Sequence, residues 1–367
     1  MTEREAYIIL NLIPGIGAAR AEALINAFGS ASEIFSQSAG KLACVPKIPA
    51  ALATKIANWR DNIDLTAELD FAERGGVRII TRDDEDYPQN LSEIYDPPLC
   101  LYVRGILPKF DLRTVAVVGS RRMTKYGRMM ARRLSEDAAY AGWKVVSGLA
   151  YGIDAVAHQA TLDAGGITVA VLGGGLARIH PQDHIPLARA IIEHGGAVIS
   201  EYPMDYPVSR QSFPRRNRIV SGLSRAVVVV EADIDSGAMI TAGIALEQGR
   251  QVFAVPGQAD NQQARGCHKL IREGACLVEN FGDVIREFEF QPDMKQNESS
   301  VLHQQDLFSN LDGDEQKVVE QLRDEAKNFD ELVAELEIST GELLGIMMRL
   351  EVKMVVKQEL GRVYRLL

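Results

Sequence analysis

Apolar residues fall in three regimes along the chain. Up to about residue 72 they recur at helical spacing, broken by short turns. The first of these turns reads Leu12-Ile13-Pro14-Gly15-Ile16-Gly17-Ala18-Ala19-Arg20, where one apolar helix stops at Pro14 and another starts beyond Gly17. This is the pattern of a helix-hairpin-helix. Its glycines let a phosphate approach the backbone, and its second helix offers free N–H groups. The pattern returns in Cys44-Val45-Pro46-Lys47-Ile48-Pro49-Ala50, with Lys47 and Pro49 in place of the glycines. Pro49 has no N–H to donate, so the second copy is expected to be structural. The first copy is a candidate phosphate contact, although such a pair also serves simply to pack a small helical domain.

Between about 75 and 287 the period changes. Thr114–Val118 is a continuous apolar run ending at Gly119, and Trp143–Ser147, Ile167–Leu172, Ala197–Ser200, Ala226–Glu231 and Gln251–Val255 repeat it. Segments of helical period, such as Gly127–Ala141 and Ala238–Gln248, lie between them. β-Branched runs alternating with helices predict a parallel sheet covered on both faces, an α/β fold of the doubly wound, Rossmann-like kind. Val77–Ile80 and Leu99–Val103 add strands or an extension at one edge. Residues from about 290 to 312 are polar and aperiodic and read as a linker. Glu315–Arg323, Asp330–Leu336 and a segment opening at Ser339-Thr340-Gly341-Glu342 then predict three helices. Lys353–Gln358 and Arg362–Leu366, split at Gly361, add a hairpin and complete a winged helix. The expected boundaries are a helical, SAM-like helix-hairpin-helix domain over 1–72, an extended Rossmann-like domain over 73–288, a linker over 289–312 and a winged helix over 313–367.

The 367 residues are 46% hydrophobic and 25% charged, as in a globular chain of two or three domains. The net charge of -10, taken alone, argues against a nucleic-acid ligand. Its distribution reverses that reading. Arg121 to Arg133 holds six basic residues and no acid, and Tyr206 to Val230 holds five and no acid. Positive charge concentrated at one sheet edge is the electrostatic footprint of a phosphate backbone. Cys44, Cys100, Cys267 and Cys276 form no CxxC pair and suit neither a zinc site nor a disulfide framework, as expected of reduced thiols. No apolar run reaches the ~18 residues of a membrane span, and the N-terminal residues lack a signal-peptide pattern. A cytoplasmic protein with no membrane partner is therefore expected.

In an open parallel sheet, ligands bind beyond the carboxyl ends of the strands. Those positions carry Gly119-Ser120-Arg121-Arg122, Gly148-Leu149-Ala150-Tyr151-Gly152, Gly173-Gly174-Gly175, Arg210-Gln211-Ser212-Phe213-Pro214-Arg215-Arg216-Asn217-Arg218 and Ser236-Gly237. Small residues admit an extended ligand close to the backbone, and the helix starts supply N–H groups for its phosphates. Phe213 and Tyr151 offer faces for base stacking, worth ~1–3 kcal/mol per base. Arg121, directly after a strand-end Gly-Ser, is expected to touch ligand. Arg132 and Arg133 read as the solvated face of a helix. His180, Asp183 and His184 sit in a loop and helix start, so no metal is expected there. His158 reads as a structural hydrogen-bonder, and Glu231, closing a buried strand, is a remote catalytic candidate. There is no GxxxxGK[ST], and GSRRMTKYG is not GxGxxG, so neither P-loop hydrolysis nor a standard dinucleotide site is expected.

VAVVGSRRMTKYG, VVSGLAYGIDAVAHQATL, TVAVLGGGL, ISEYP, FPRRNRIVSGLSRAVVVVEA, SGAMITAGIALEQGRQVFAVPG and LIREGA follow one another in order. Together they closely resemble the DNA processing protein A (DprA/Smf) family across the whole middle domain. The helix-hairpin-helix front and winged-helix tail resemble its longer members. The resemblance implies a single-stranded-DNA-binding protein that protects incoming DNA and loads a RecA-type recombinase in natural transformation. It also implies a homodimer paired through the sheet domains, with no metal, cofactor or catalytic residue. The implied DNA-binding positions are Gly119, Ser120, Arg121, Arg122, Gly148, Arg210, Phe213, Asn217 and Arg218.

The chain departs from the family pattern in two places. Gly266-Cys267-His268 stands where the family has Gly-x-Asn, which puts any contact by that Asn in doubt. The tail carries eight basic residues against twelve acidic ones, so it is expected to contact protein, or DNA only weakly. Two rivals remain. One is an enzyme like the nucleotide phosphoribohydrolases, with Glu247 as the candidate acid, although SGAMITAGIALEQG lacks their GG. The other is a protein adaptor with a vestigial pocket, against which Arg121 and Arg210 argue.

Overall fold

The computed structural model describes residues 1–289, 312–322, 327–336, 338–352, 356–359 and 363–366. Residues up to Glu289 form one compact unit, and the described residues from 312 onward belong to a second. Apart from its first and last residues, the expected linker 289–312 lies outside the described residues, as does Gly361.

The first unit is built on a nine-stranded sheet: β1 (Val77–Thr81), β2 (Cys100–Gly105), β3 (Thr114–Val118), β4 (Lys144–Ser147), β5 (Thr168–Val171), β6 (Ala197–Ser200), β7 (Ala226–Val229), β8 (Gln251–Ala254) and β9 (Cys276–Leu277). Their order is β1-β2-β6-β5-β4-β3-β7-β8-β9. The run from β6 to β9 is parallel, and β1 and β2 extend it as an antiparallel edge. Strand order reverses between β3 and β7, so the topological switch point lies there.

Alternation along β3 shows how the sequence covers both faces. Val115 and Val117 pack with Met130, Leu134 and Ala157 from helices Lys125–Tyr140 and Ile153–Asp163. Ala116 and Val118 pack with Ile219, Ala242 and Leu270 from helices Ser212–Gly222, Gly237–Glu247 and Arg265–Arg272. All five residues of β3 are buried, which is why its sequence is a continuous apolar run rather than an alternating one.

The front helices close the remaining surface of the sheet. Ile8, Ile9, Leu24, Leu42 and Ile56 share one core with Ile79, Tyr102, Ala170 and Val198. Polar ties reinforce the seam: Asn11 Nδ2 donates to the Glu201 carbonyl (3.1 Å), and the Met204 N–H donates to Glu68 (2.8 Å). The two hairpin copies are true structural repeats. Gly15 has φ +99° and Lys47 repeats that left-handed turn at φ +68°. Gly17 and Pro49 are the N-caps of helices Ala18–Phe28 and Ala50–Ala57. Arg20 joins the copies by donating from Nε to the Lys47 carbonyl (3.0 Å) and from its terminal nitrogen to the Gly15 carbonyl.

In the second unit, helices Gly313–Gln321, Phe329–Leu336 and Thr340–Val352 pack around Val318, Leu332, Leu343 and Leu350. Strands Val356–Glu359 and Val363–Leu366 form the hairpin, and Lys327–Asn328 adds a third strand beside it. Among the described residues no helix is long and apolar enough to cross a membrane.

Candidate nucleic-acid interface

A cleft of about 470 Å³ opens at the switch point, lined by the chain that follows β3, β4 and β7 and by helix Ser212–Gly222. Gly119, Ser120, Arg121, Arg122, Gly148, Phe213 and Asn217 all line it. Arg121 and Arg122 are exposed on the turn after β3. That turn is fixed from below. The Ser120 N–H donates to the Glu231 carbonyl (2.7 Å), its Oγ accepts from the Arg122 N–H (3.0 Å), and its carbonyl accepts from the Ile153 N–H (3.2 Å). The Arg121 guanidinium lies 4.9 Å from the Phe213 ring centroid, so two residues 92 positions apart form one cation–aromatic pair at the cleft.

The floor carries charge that the sequence reading did not single out. Arg216 is 4% exposed and lines the cleft. It donates to the Gly148 carbonyl (2.6 Å), closely to the Val171 carbonyl, and from Nε to the Asn217 amide oxygen (3.2 Å). Buried Asp154 accepts from the Gly148 and Ala150 N–H groups (3.1 and 3.4 Å). The Gly148 peptide therefore stands between the two charges. Burial pushes the Asp154 carboxyl up, and Arg216 opposes that shift. Burial likewise pushes the Arg216 guanidinium down, and Asp154 opposes it. A Cβ on Gly148 would collide with the Arg216 guanidinium, which accounts for the glycine. Gly152, at φ +82°, has both a left-handed backbone and the Ser120 carbonyl against it.

Arg210 and Arg218 stand outside this lining. Arg210 is exposed on the turn preceding Ser212. Arg218 is 8% exposed and ion-paired, with Nε 3.0 Å from Asp96 and a terminal nitrogen 2.5 Å from Glu201. It anchors helix Ser212–Gly222 to the loop before β2 and to the end of β6. The three glycines after β5 are approached by the chain itself: Val208 and Tyr206 close on Gly174, and Pro203 and Met204 close on Gly175.

The remaining candidates have structural partners. Glu231 accepts from both the backbone N–H and the hydroxyl of Thr124, the N-cap of helix Lys125–Tyr140. Tyr151 donates to Asp183 (2.7 Å), and its ring meets His184 edge-on. His158 is fully buried with Nδ1 2.7 Å from the Thr168 hydroxyl, and burial lowers its pKa to about 3. Arg132 pairs with Glu136 and Asp163, and Arg133 with Asp137. His268 places Nε2 3.0 Å from the Gly257 carbonyl and so ties its helix to the loop after β8. In the tail, Arg349 is the only basic residue of helix Thr340–Val352, and it is held by Glu315 and Asp312.

Fold and cleft together define a Rossmann-like protein with a charged cleft at its switch point. Comparison with known proteins is consistent with that class: the family described as DNA recombination-mediator protein A matches residues 78–289, and the DprA winged helix domain matches 306–362. The chain belongs to this DprA/Smf family of DNA recombination mediators. It is 43% identical over 247 residues to protein Smf of Escherichia coli, spanning 66% of either chain, and 33% identical to protein Smf of Synechocystis, spanning 85% of either. Among solved structures, DNA processing protein A of Streptococcus pneumoniae matches at TM-score 0.68 and 34% identity, over 79% of this chain and 99% of that one. A structure addressing the single-stranded DNA binding mode of DNA processing protein A from Helicobacter pylori matches at TM-score 0.52 and 29% identity, over 58% of this chain and 96% of that one.

Proposed function

We propose that this chain binds single-stranded DNA in the switch-point cleft and delivers it to a RecA-type recombinase, acting as a cytoplasmic homodimer in natural transformation. The observation that carries this reading is the Arg121–Phe213 pair over a floor held by Arg216. Arg121 and Arg122 are free to make charge-assisted hydrogen bonds to phosphates. Arg210, exposed on the turn three residues before Phe213, adds a further cation for the strand, and Phe213 supplies a face for a base. Gly119, Ser120 and Gly148 shape the backbone against which the strand lies, Asn217 holds Arg216, and Arg218 locks the helix that carries Phe213. A strand with splayed bases can enter such a cleft, whereas stacked duplex cannot, so single strands should outcompete duplex. The limits 1–72, 73–288 and 313–367 belong to the same proposal as sequence segments, the first two sharing one core and the third lying in a separate unit. An enzymatic reading finds no support at Glu247, which is exposed at the last turn of its helix and outside the cleft.

Titration of a labelled single strand by fluorescence anisotropy tests the reading. Arg121→Ala should lose most of the affinity, and the wild-type affinity should fall with salt at a slope near -0.7 per neutralised phosphate, on the order of that for other single-strand binders. Salt-insensitive binding, or binding that ignores Arg121, would remove it.

A further inference from the structure

Resting on the single-strand reading, we propose that the cleft reads bases on the wall opposite its arginines, where Asp235 selects cytosine over thymine. The two walls differ in charge. The side after β3 presents Arg121 and Arg122, while the side after β7 presents Asp233, Asp235, Ser236, Ile240 and Thr241. A phosphate is attracted to the first wall and repelled by the second, so the backbone takes the arginine side and a base that is not stacked on Phe213 points across.

The two carboxylates on that second wall are not equivalent. Asp233 is occupied, with Oδ2 accepting from Gln262 (2.7 Å) and Oδ1 from the Ile234 N–H (2.8 Å). Asp235 is exposed and has no side-chain hydrogen bond or ion pair to any described residue. Ile240, in the same lining, is 45% exposed, although its helix buries Ala238, Ala242 and Ala245. An exposed aliphatic side chain and an unused acceptor on one wall are the combination that a base requires, with a surface for its face and a partner for its edge.

The base preference follows from the acceptor. Cytosine and thymine are pyrimidines of similar stacking that differ at position 4, where cytosine offers an amino donor and thymine a carbonyl acceptor. An ionised carboxylate can only accept. Asp235 therefore rewards cytosine and repels thymine, while Ile240 packs on either ring.

The test is anisotropy titration of short oligo-dC and oligo-dT at mildly alkaline pH with full-length wild type, Asp235→Asn, Asp235→Ala and Ile240→Ala. Wild type should favour oligo-dC by about threefold or more, the scale of one charge-assisted contact. Both Asp235 variants should bring that ratio to about one, with oligo-dT binding strengthened. Ile240→Ala should weaken both oligonucleotides alike and leave the ratio intact. Asp235 also precedes Ser236, the N-cap of its helix. A purely local role there would shift the melting temperature and leave the ratio unchanged, which would overturn the inference. So would a wild type that binds both oligonucleotides equally while still depending on Arg121, and in that case the single-strand reading survives. A wild type that binds neither removes both.

Discussion

Two arginines two residues apart on one helix are both buried but hold different parts of the molecule. Phe213, Arg216, Asn217 and Val220 follow helical spacing and all line the cleft, whereas Arg218 falls on another face and is buried against Asp96 and Glu201. Arg218→Ala should therefore act on stability. Leaving the buried Glu201 carboxylate with only Arg215, 3.9 Å away, should cost on the order of 2–3 kcal/mol in chemical denaturation. Arg121→Ala should leave stability within about 0.5 kcal/mol, because its guanidinium is exposed. Strand-end position pointed to Arg121, Gly148 and Phe213 from the sequence, and the family pattern added Arg210. Arg216 and Asp154 were not legible, because their roles depend on meeting across the Gly148 peptide, a contact between segments 68 residues apart. His158 gives a pH prediction. Its folded pKa of about 3 lies below the 6.5 of the free side chain. As pH falls below about 6.5, the unfolded chain takes up a proton that the native chain refuses, so stability should drop by ~1.4 kcal/mol per pH unit from this group. NMR should find the His158 ring neutral at about pH 5, and a protonated ring there would contradict this account.

At the scale of elements, the helix after β3 is held by one acid from just beyond the neighbouring strand β7. Thr124 caps helix Lys125–Tyr140 and gives both its N–H and its hydroxyl to Glu231. Thr124→Ala removes the cap and one partner of a buried carboxylate. The expected loss is about 1–2 kcal/mol, read as a lowered denaturation midpoint, whereas Thr124→Ser should retain most of the stability. The central strands were legible because burial on both faces writes a continuous apolar run. Thr114–Val118 and Ala197–Ser200 have the limits that the run itself sets. Strands Cys276–Leu277 and Lys327–Asn328 were not legible, since two residues carry no period and their pairing is set by neighbours already in place.

Across the molecule, the front helices complete the sheet and do not stand apart from it. Tyr102, Ile79 and Val198 are buried in the same core as Ile8, Leu24 and Ile56. A chain beginning at about residue 73 should therefore expose a broad apolar face and aggregate. Light scattering and yield would check this, and a soluble, monodisperse truncation would contradict it. The sequence showed the hairpin repeat but not this seam, because helical period gives the direction of an apolar face without naming what covers it. Charge needed the same change of scale. A net -10 says nothing of the cleft, whose lining sets Arg121, Arg122 and Arg216 against Asp154, Asp233 and Asp235, so only the placement of these charges decides where a phosphate can lie.

The most direct test of the central claim is one competition experiment, with a labelled single strand bound by wild type, Arg121→Ala or Arg218→Ala and challenged with unlabelled single strand or matched duplex. Wild type should bind the single strand tightly, and duplex should displace it poorly. Arg121→Ala should lose about tenfold or more at unchanged melting temperature, and whatever fraction of Arg218→Ala folds should keep near-normal affinity. Equal displacement by duplex, or full affinity without Arg121, would contradict the account and move the binding site away from the switch-point cleft.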